Sequence, residues 1–322
     1  MKRNHNRDTC LLLARRTMML SNLVHNHLRP QLRQLRTEGP VGFLRWNSIL
    51  LEAWVRYWLN RHTYEILSEA ELRATRKSDR VFVFGSGYSL NDISPAEWQD
   101  FEQHDTLGLS GFIYQQWVRV DYHLIRGWVE TKDGTFNWRQ HTTDFVNTLH
   151  ANRHFQDTIF IMQGEYLAQF CNRLIGYRLL RPGSRVFRYT TARRSGPPTR
   201  SLNQGLRHMV ATLCDAVNFA YCLGWQEIVL VGVDLYDSRY FWLKPDETLS
   251  FDETTGTLAA AEYNVRGLRY DQMHNTARND IAEIMGQWRD IFEQNNVHMS
   301  VYNPRSLLTQ VMPVYQRSEQ NR

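Results

Sequence analysis

The sequence predicts an α/β fold of Rossmann type, a mostly parallel sheet flanked by helices, with an α-helical extension at its amino terminus. Three observations carry this. Val81-Phe82-Val83-Phe84 is apolar throughout and stops at Gly85-Ser86-Gly87. A strand buried on both faces reads as a continuous Val/Phe run, and glycines just past its carboxyl end mark the turn where such sheets approach phosphates. Further β-type runs at 106–109, 122–125, 158–162, 185–189, 228–233 and 299–302 alternate with stretches of helical periodicity, the pattern of a parallel sheet. Finally, Leu206, Met209, Val210, Leu213, Val217, Ala220 and Tyr221 share one helical face, Gly224 supplies a stop, and the apolar run at 228–233 ends in Asp234.

Taken in order, the first 78 residues form the extension. Residues 1–80 hold 15 Lys/Arg against 7 Asp/Glu, whereas residues 81–322 hold 23 against 26. The cationic character therefore belongs to the extension, which suits an anionic surface, a membrane leaflet or a nucleic acid. The membrane surface is the expected partner and no nucleic acid is expected. Phe43, Trp46, Leu50, Trp54 and Trp58 recur at helical spacing opposite Arg45, Ser48, Glu52, Arg56 and Asn60. Such a stripe fits an interfacial anchor but is more often a packing face, on its own domain or on a second copy of the chain.

A domain spanning 79–322 is expected to follow, with lid or acceptor insertions at about 190–203 and 237–271. Hydrophobic residues make up 42% of the 322, ample for a packed core, so general disorder is excluded. No apolar run reaches the ~18 residues of a membrane-spanning helix. Leu11-Leu12-Leu13-Ala14 is cut by Arg15-Arg16, too short for a secretory signal. Cys10, Cys171, Cys214 and Cys222 lack paired spacing, which points to a reducing cytoplasm without structural zinc. In an open α/β sheet, ligands lie beyond the carboxyl ends of strands. Asp234 and Tyr236 are therefore expected to share a crevice with Ser86, although Asp234 reads equally well as a strand-end cap. Thr190 to Ser201 is a basic, Gly/Pro-bearing loop, and the 237–271 insertion carries Tyr240, Trp242 and Tyr263.

The succession Gly85-Ser86-Gly87-Tyr88-Ser89-Leu90-Asn91-Asp92-Ile93, Leu223-Gly224-Trp225 through Val233-Asp234-Leu235-Tyr236, His274 ahead of Asn279-Asp280-Ile281, and Tyr302-Asn303-Pro304-Arg305 resembles the bacterial sialyltransferases of glycosyltransferase family 42. Flagellin-glycosylation and pterin pyrophosphokinase-like proteins share parts of the pattern. The resemblance implies a metal-independent, inverting transfer of an acidic sugar from a CMP-linked donor to a hydroxyl of a surface glycan or glycolipid. It assigns Gly85, Ser86 and Gly87 to the phosphate, Tyr236 and Tyr240 to the leaving group, and His274 to the general base. Asn303 would lie at the site edge. Ser86 stands where the family turn holds Asn, later Asn positions fall near Ser110 and Arg126, and a Ser-Gly pair is replaced within Asn203-Gln204-Gly205. The alternatives are a Mg-dependent pyrophosphokinase acting on a pterin-like alcohol, or a non-catalytic nucleotide- or membrane-binding module.

The chemistry of such a transfer asks for donors to the departing phosphate, shelter from water, and a base near neutral pKa. No Asp-x-Asp metal motif is present, so no metal cofactor is expected. The expected location is cytoplasmic, peripheral to the inner membrane.

Overall fold

A computed structural model describes residues 29–127, 138–192, 196–236, 239–243, 247–251, 258–262 and 280–316. The apolar runs become strands β1 (Glu65–Ile66), β2 (Arg80–Phe84), β3 (Asp105–Leu109), β4 (Tyr122–Ile125), β5 (Ile159–Gln163), β6 (Arg185–Tyr189), β7 (Glu227–Val231), β8 (Glu247–Phe251), β9 (Leu258–Glu262) and β10 (His298–Val301). Eight of them form one sheet in the order β1-β6-β5-β4-β3-β2-β7-β10, and every neighbouring pair is parallel. This is the Rossmann-like α/β fold. Strands β8 and β9 make a separate antiparallel hairpin inside the 237–271 insertion, which the sequence reading left without structure.

The helices among the described residues are α1 (Arg29–Asn60), α2 (Glu69–Arg73), α3 (Pro95–Phe101), α4 (Trp138–Ala151), α5 (Gln169–Gly176), α6 (Thr212–Leu223) and α7 (Ile281–Glu293). Local chemistry fixes several of their ends. Ser68 and Ser94 each open a helix through a reciprocal capping box, with Glu71 and Glu97 respectively, satisfying amide donors that have no partner inside the helix. Gly224 closes α6 in the left-handed conformation at φ 94, the role its sequence position predicts.

Side-chain alternation along β2 divides the core into two layers. Val81 and Val83 join the face covered by α6 and α7, while Phe82 and Phe84 join the opposite face with Trp98, Phe101, Phe145 and Phe170. Helix α6 begins at Thr212 rather than at 206, and Val210 is exposed. Two residues of β1, too few to carry a periodic signal, pair with β6 at the sheet edge. Leu67 and Leu72 are buried, so the sheet domain begins well before the boundary expected at 78.

Helix α1 changes direction at Gly39, whose φ of 68 precedes Pro40. Beyond it Leu50, Ala53 and Tyr57 are buried against α5. There Asn60 Nδ2 donates to the Gly176 carbonyl at 2.8 Å, and Tyr166 donates to the Asn47 carbonyl at 3.2 Å. A Cβ at Gly176 would come within 2.8 Å of Arg56 Cβ, so the missing side chain lets the helices approach. The predicted stripe is therefore a packing face at Leu50 and Trp54. Trp58 lies outside it, exposed and capped by the Arg61 guanidinium at 3.9 Å. A second apolar row that the sequence reading passed over, Leu44, Leu51, Val55 and Leu59, is also exposed. No described helix is long and apolar enough to cross a membrane.

Candidate functional site

Strand register aligns the carboxyl ends. Phe84 pairs with Gly108 and with Val231, Leu109 with Leu124, Ile125 with Met162, and Gln163 with Tyr189. The residues that follow, Ser86, Ser110 and Arg126, therefore emerge side by side with Tyr189 along one edge. Strand β2, with β3 on one side and β7 on the other, is the point where the chain reverses its direction across the sheet, the usual ligand position of an open α/β sheet.

At that point the glycine turn is packed more tightly than an anion cradle requires. Gly85 N–H donates to the Val231 carbonyl and Gly87 N–H to the Gly232 carbonyl, both at 2.8 Å. A Cβ at Gly85 would stand 2.5 Å from Gly232 O, and one at Gly87 would collide with the Asp234 carboxylate. Close approach to the end of β7 thus explains both glycines, and their amides are already engaged. This narrows the expected phosphate contact at the turn to Ser86.

The 239–243 segment folds back over this turn. Tyr240 forms an antiparallel bridge with Gly87, and Phe241 N–H donates to the Ser86 carbonyl at 3.2 Å. Trp242 stacks on Tyr240 with ring centroids 4.7 Å apart and covers Gly111, where no side chain would fit beneath its indole. Tyr240, Trp242, Ser86 and the exposed Ser110 therefore share one corner. Ser110 adopts a left-handed φ of 50, a conformation uncommon outside glycine and frequent at functional sites. Burial pushes the Tyr240 phenol above its ordinary value, so its hydroxyl keeps its proton as a donor.

Asp234 ties these loops together. At 2% exposure, its carboxylate accepts from Ser89 N–H at 2.9 Å, from the Ser89 hydroxyl at 2.5 Å and from Asn303 Nδ2 at 2.8 Å. Asn303 Nδ2 also donates to the Tyr236 phenol oxygen at 3.3 Å. Of the two readings of Asp234, the structural one fits these bonds. Leu235, at φ 64, turns the chain between Asp234 and Tyr236.

Arg126 belongs to a second cluster. Its Nη1 donates to Asp215 Oδ1 at 2.9 Å, and Asp215 Oδ2 lies 2.5 Å from His208 Nδ1. Sequence reasoning missed Asp215 and His208. The available signal was an acid within the apolar α6 segment, next to Cys214 and Val217.

The remaining expected residues do not converge. Asn203 and Gln204 are exposed beside β6, and Gly205, at φ 78, packs 2.5 Å by its would-be Cβ from Thr190 O. Four strand spacings separate β6 from β2, roughly 20 Å, so this segment is not part of the glycine-turn corner. The sequence pattern brought these residues into the set through motif order, which carries no information on sheet position. The 196–201 part of the expected lid is anchored, with the Thr199 hydroxyl donating to Gly205 O at 2.6 Å and Asn218 Nδ2 donating to Thr199 O at 2.9 Å. His274 and Tyr263 lie outside the described residues. Among the described residues no group of His, Cys, Asp or Glu is placed to hold a metal ion.

No family model, curated protein or solved structure matches this chain.

Proposed function

We propose that this chain is a glycosyltransferase that moves an acidic sugar from a CMP-linked donor to a hydroxyl of a bacterial surface glycan or glycolipid, with inversion and without a metal ion. The observation that carries the reading is the return of Tyr240 onto Gly87 and of Phe241 onto Ser86. A residue expected at the leaving phosphate from motif order alone thereby has its backbone beside the turn expected to meet that phosphate. In this reading the donor phosphate lies between Ser86 and the hydroxyls of Tyr240 and Tyr236. Phenols suit the task because charge grows on the phosphate as the glycosidic bond breaks, and fixed donors in a sheltered corner stabilise that charge without reorganising. The resemblance assigns the base to His274. The basic extension and its exposed Leu44, Leu51, Val55 and Leu59 row would keep the protein against the inner membrane, where such acceptors are assembled.

The test is CMP release from CMP-N-acetylneuraminate by the full chain in EDTA. Sustained release is expected, and Tyr240→Phe should slow it about 100-fold, the usual cost of one transition-state donor. Release only with Mg²⁺, or turnover of ATP with a pterin-like alcohol in its place, would overturn the reading in favour of phosphoryl transfer.

A further inference from the structure

We propose that His208, in place of the His274 that the resemblance assigns, is the residue that takes the acceptor hydroxyl's proton, with Asp215 as its positioning residue; this rests on the transferase reading above. Asp215 sits in the first turns of α6 with its side chain wholly buried at 0% exposure. A carboxylate withdrawn from water needs charged or hydrogen-bonding partners. Here Arg126 offsets its charge through Oδ1, and His208 occupies Oδ2. The His208 side chain retains 17% exposure, so the ring reaches from the buried carboxylate to solvent.

The carboxylate sets the tautomer. Facing Asp215, Nδ1 must carry the hydrogen, which leaves Nε2 as the basic nitrogen. The only hydrogen bond of the ring to a described residue is the one at Nδ1. An imidazole oriented by a buried carboxylate, with its second nitrogen directed elsewhere, is the arrangement of a general base.

Two further observations place this pair in the working crevice. Arg126 follows β4, one strand from Ser110 and two from Ser86, about 5 and 10 Å across the sheet. With a phosphate at Ser86, the sugar and the incoming hydroxyl extend along that edge. In addition, the Tyr189 hydroxyl, 1% exposed, has no hydrogen-bond partner among the described residues and interacts electrostatically with Asp215 and Arg126. A buried hydroxyl of this kind is rarely left unsatisfied, and a polyhydroxyl ligand would satisfy it. In the step itself, the acceptor O–H gives its proton to Nε2 while its oxygen bonds the anomeric carbon. The bond from that carbon to the phosphate oxygen breaks, and its electron pair leaves with CMP. The imidazolium then returns the proton to water.

The experiment measures CMP release from CMP-N-acetylneuraminate by wild type, His208→Gln, Asp215→Asn and His274→Ala, with CMP binding followed by thermal shift. His208→Gln should release CMP at least about 100-fold more slowly at saturating donor, with an unchanged CMP-induced melting shift and no acid limb in its pH profile. Asp215→Asn should displace that limb while remaining folded by circular dichroism. Among the described residues, His208 meets Asp215 from α6, which is met in turn by Arg126 after β4 and, electrostatically, by Tyr189 from β6. Turnover by His208→Gln within a few-fold of wild type, or an acid limb abolished by His274→Ala and kept by His208→Gln, would overturn the proposal. A wild type that releases no CMP fails one step earlier, overturning the transferase reading and this role with it.

Discussion

Two buried aspartates stand at the same edge of the same sheet and do opposite things. Asp234, after β7, is surrounded by neutral donors from Ser89 and Asn303. Asp215, at the start of α6, is held by Arg126 and His208. The first network closes on itself and knits three loops together; the second ends in a partly exposed imidazole. Burial alone therefore does not mark a functional carboxylate. What matters is whether its partners can still exchange a proton or meet a ligand.

Substitution separates the two regions most sharply. Asp215→Asn is expected to cut turnover about 100-fold or more, as loss of an orienting carboxylate does in other imidazole-based sites. Asp234→Asn is expected to leave turnover at saturating donor within a few-fold. Its cost is stability, about 1–3 kcal/mol, because an amide nitrogen must then face donors already aimed at a carboxylate. Melting curves read beside initial rates distinguish the outcomes; matching activity losses from both variants would erase the contrast.

Gly87→Ala probes the closed region from its backbone side. The new Cβ would press on the Asp234 carboxylate, and a loss of about 1–3 kcal/mol is expected from overpacking. Denaturant midpoints measure it, and an unchanged midpoint would mean that the turn is looser than its contacts imply.

The last effect concerns pH. Burial pushes His123, on β4, down to about 3, while an unfolded histidine titrates near 6.5. Between those values the unfolded chain binds the proton and the folded one does not, so stability falls as pH is lowered through that window, by up to about 1.4 kcal/mol per unit. His123→Leu should flatten this part of the stability curve. An equal slope in the variant would assign it to other groups, such as His104, whose burial also lowers its pKa.

The sheet was legible because its central strands are buried on both faces: 81–84 or 228–233 admits little but a parallel core strand. The corner around Ser86 was legible for a related reason, since a Gly-x-Gly turn and an acid at a later strand end must come together if those strands are neighbours, as β2 and β7 are. Motif order misled at Asn203, Gln204 and Gly205, because sequence gives no sheet position and β6 lies far from β2. Asp215 and His208 were illegible for a different reason. Seven residues apart in sequence, they meet only because α6 begins between them and Arg126 arrives from another strand. The exposed Leu44, Leu51, Val55 and Leu59 row escaped notice because aromatic residues dominate a neighbouring stripe of the same helix.

The most direct measurement is a thermal-shift comparison of CMP, UDP, GDP and Mg²⁺-ATP with the full chain. Specific binding raises the melting temperature by mass action. CMP is predicted to raise it in EDTA while the other nucleotides leave it near its starting value. A rise with Mg²⁺-ATP and none with CMP would contradict the assignment.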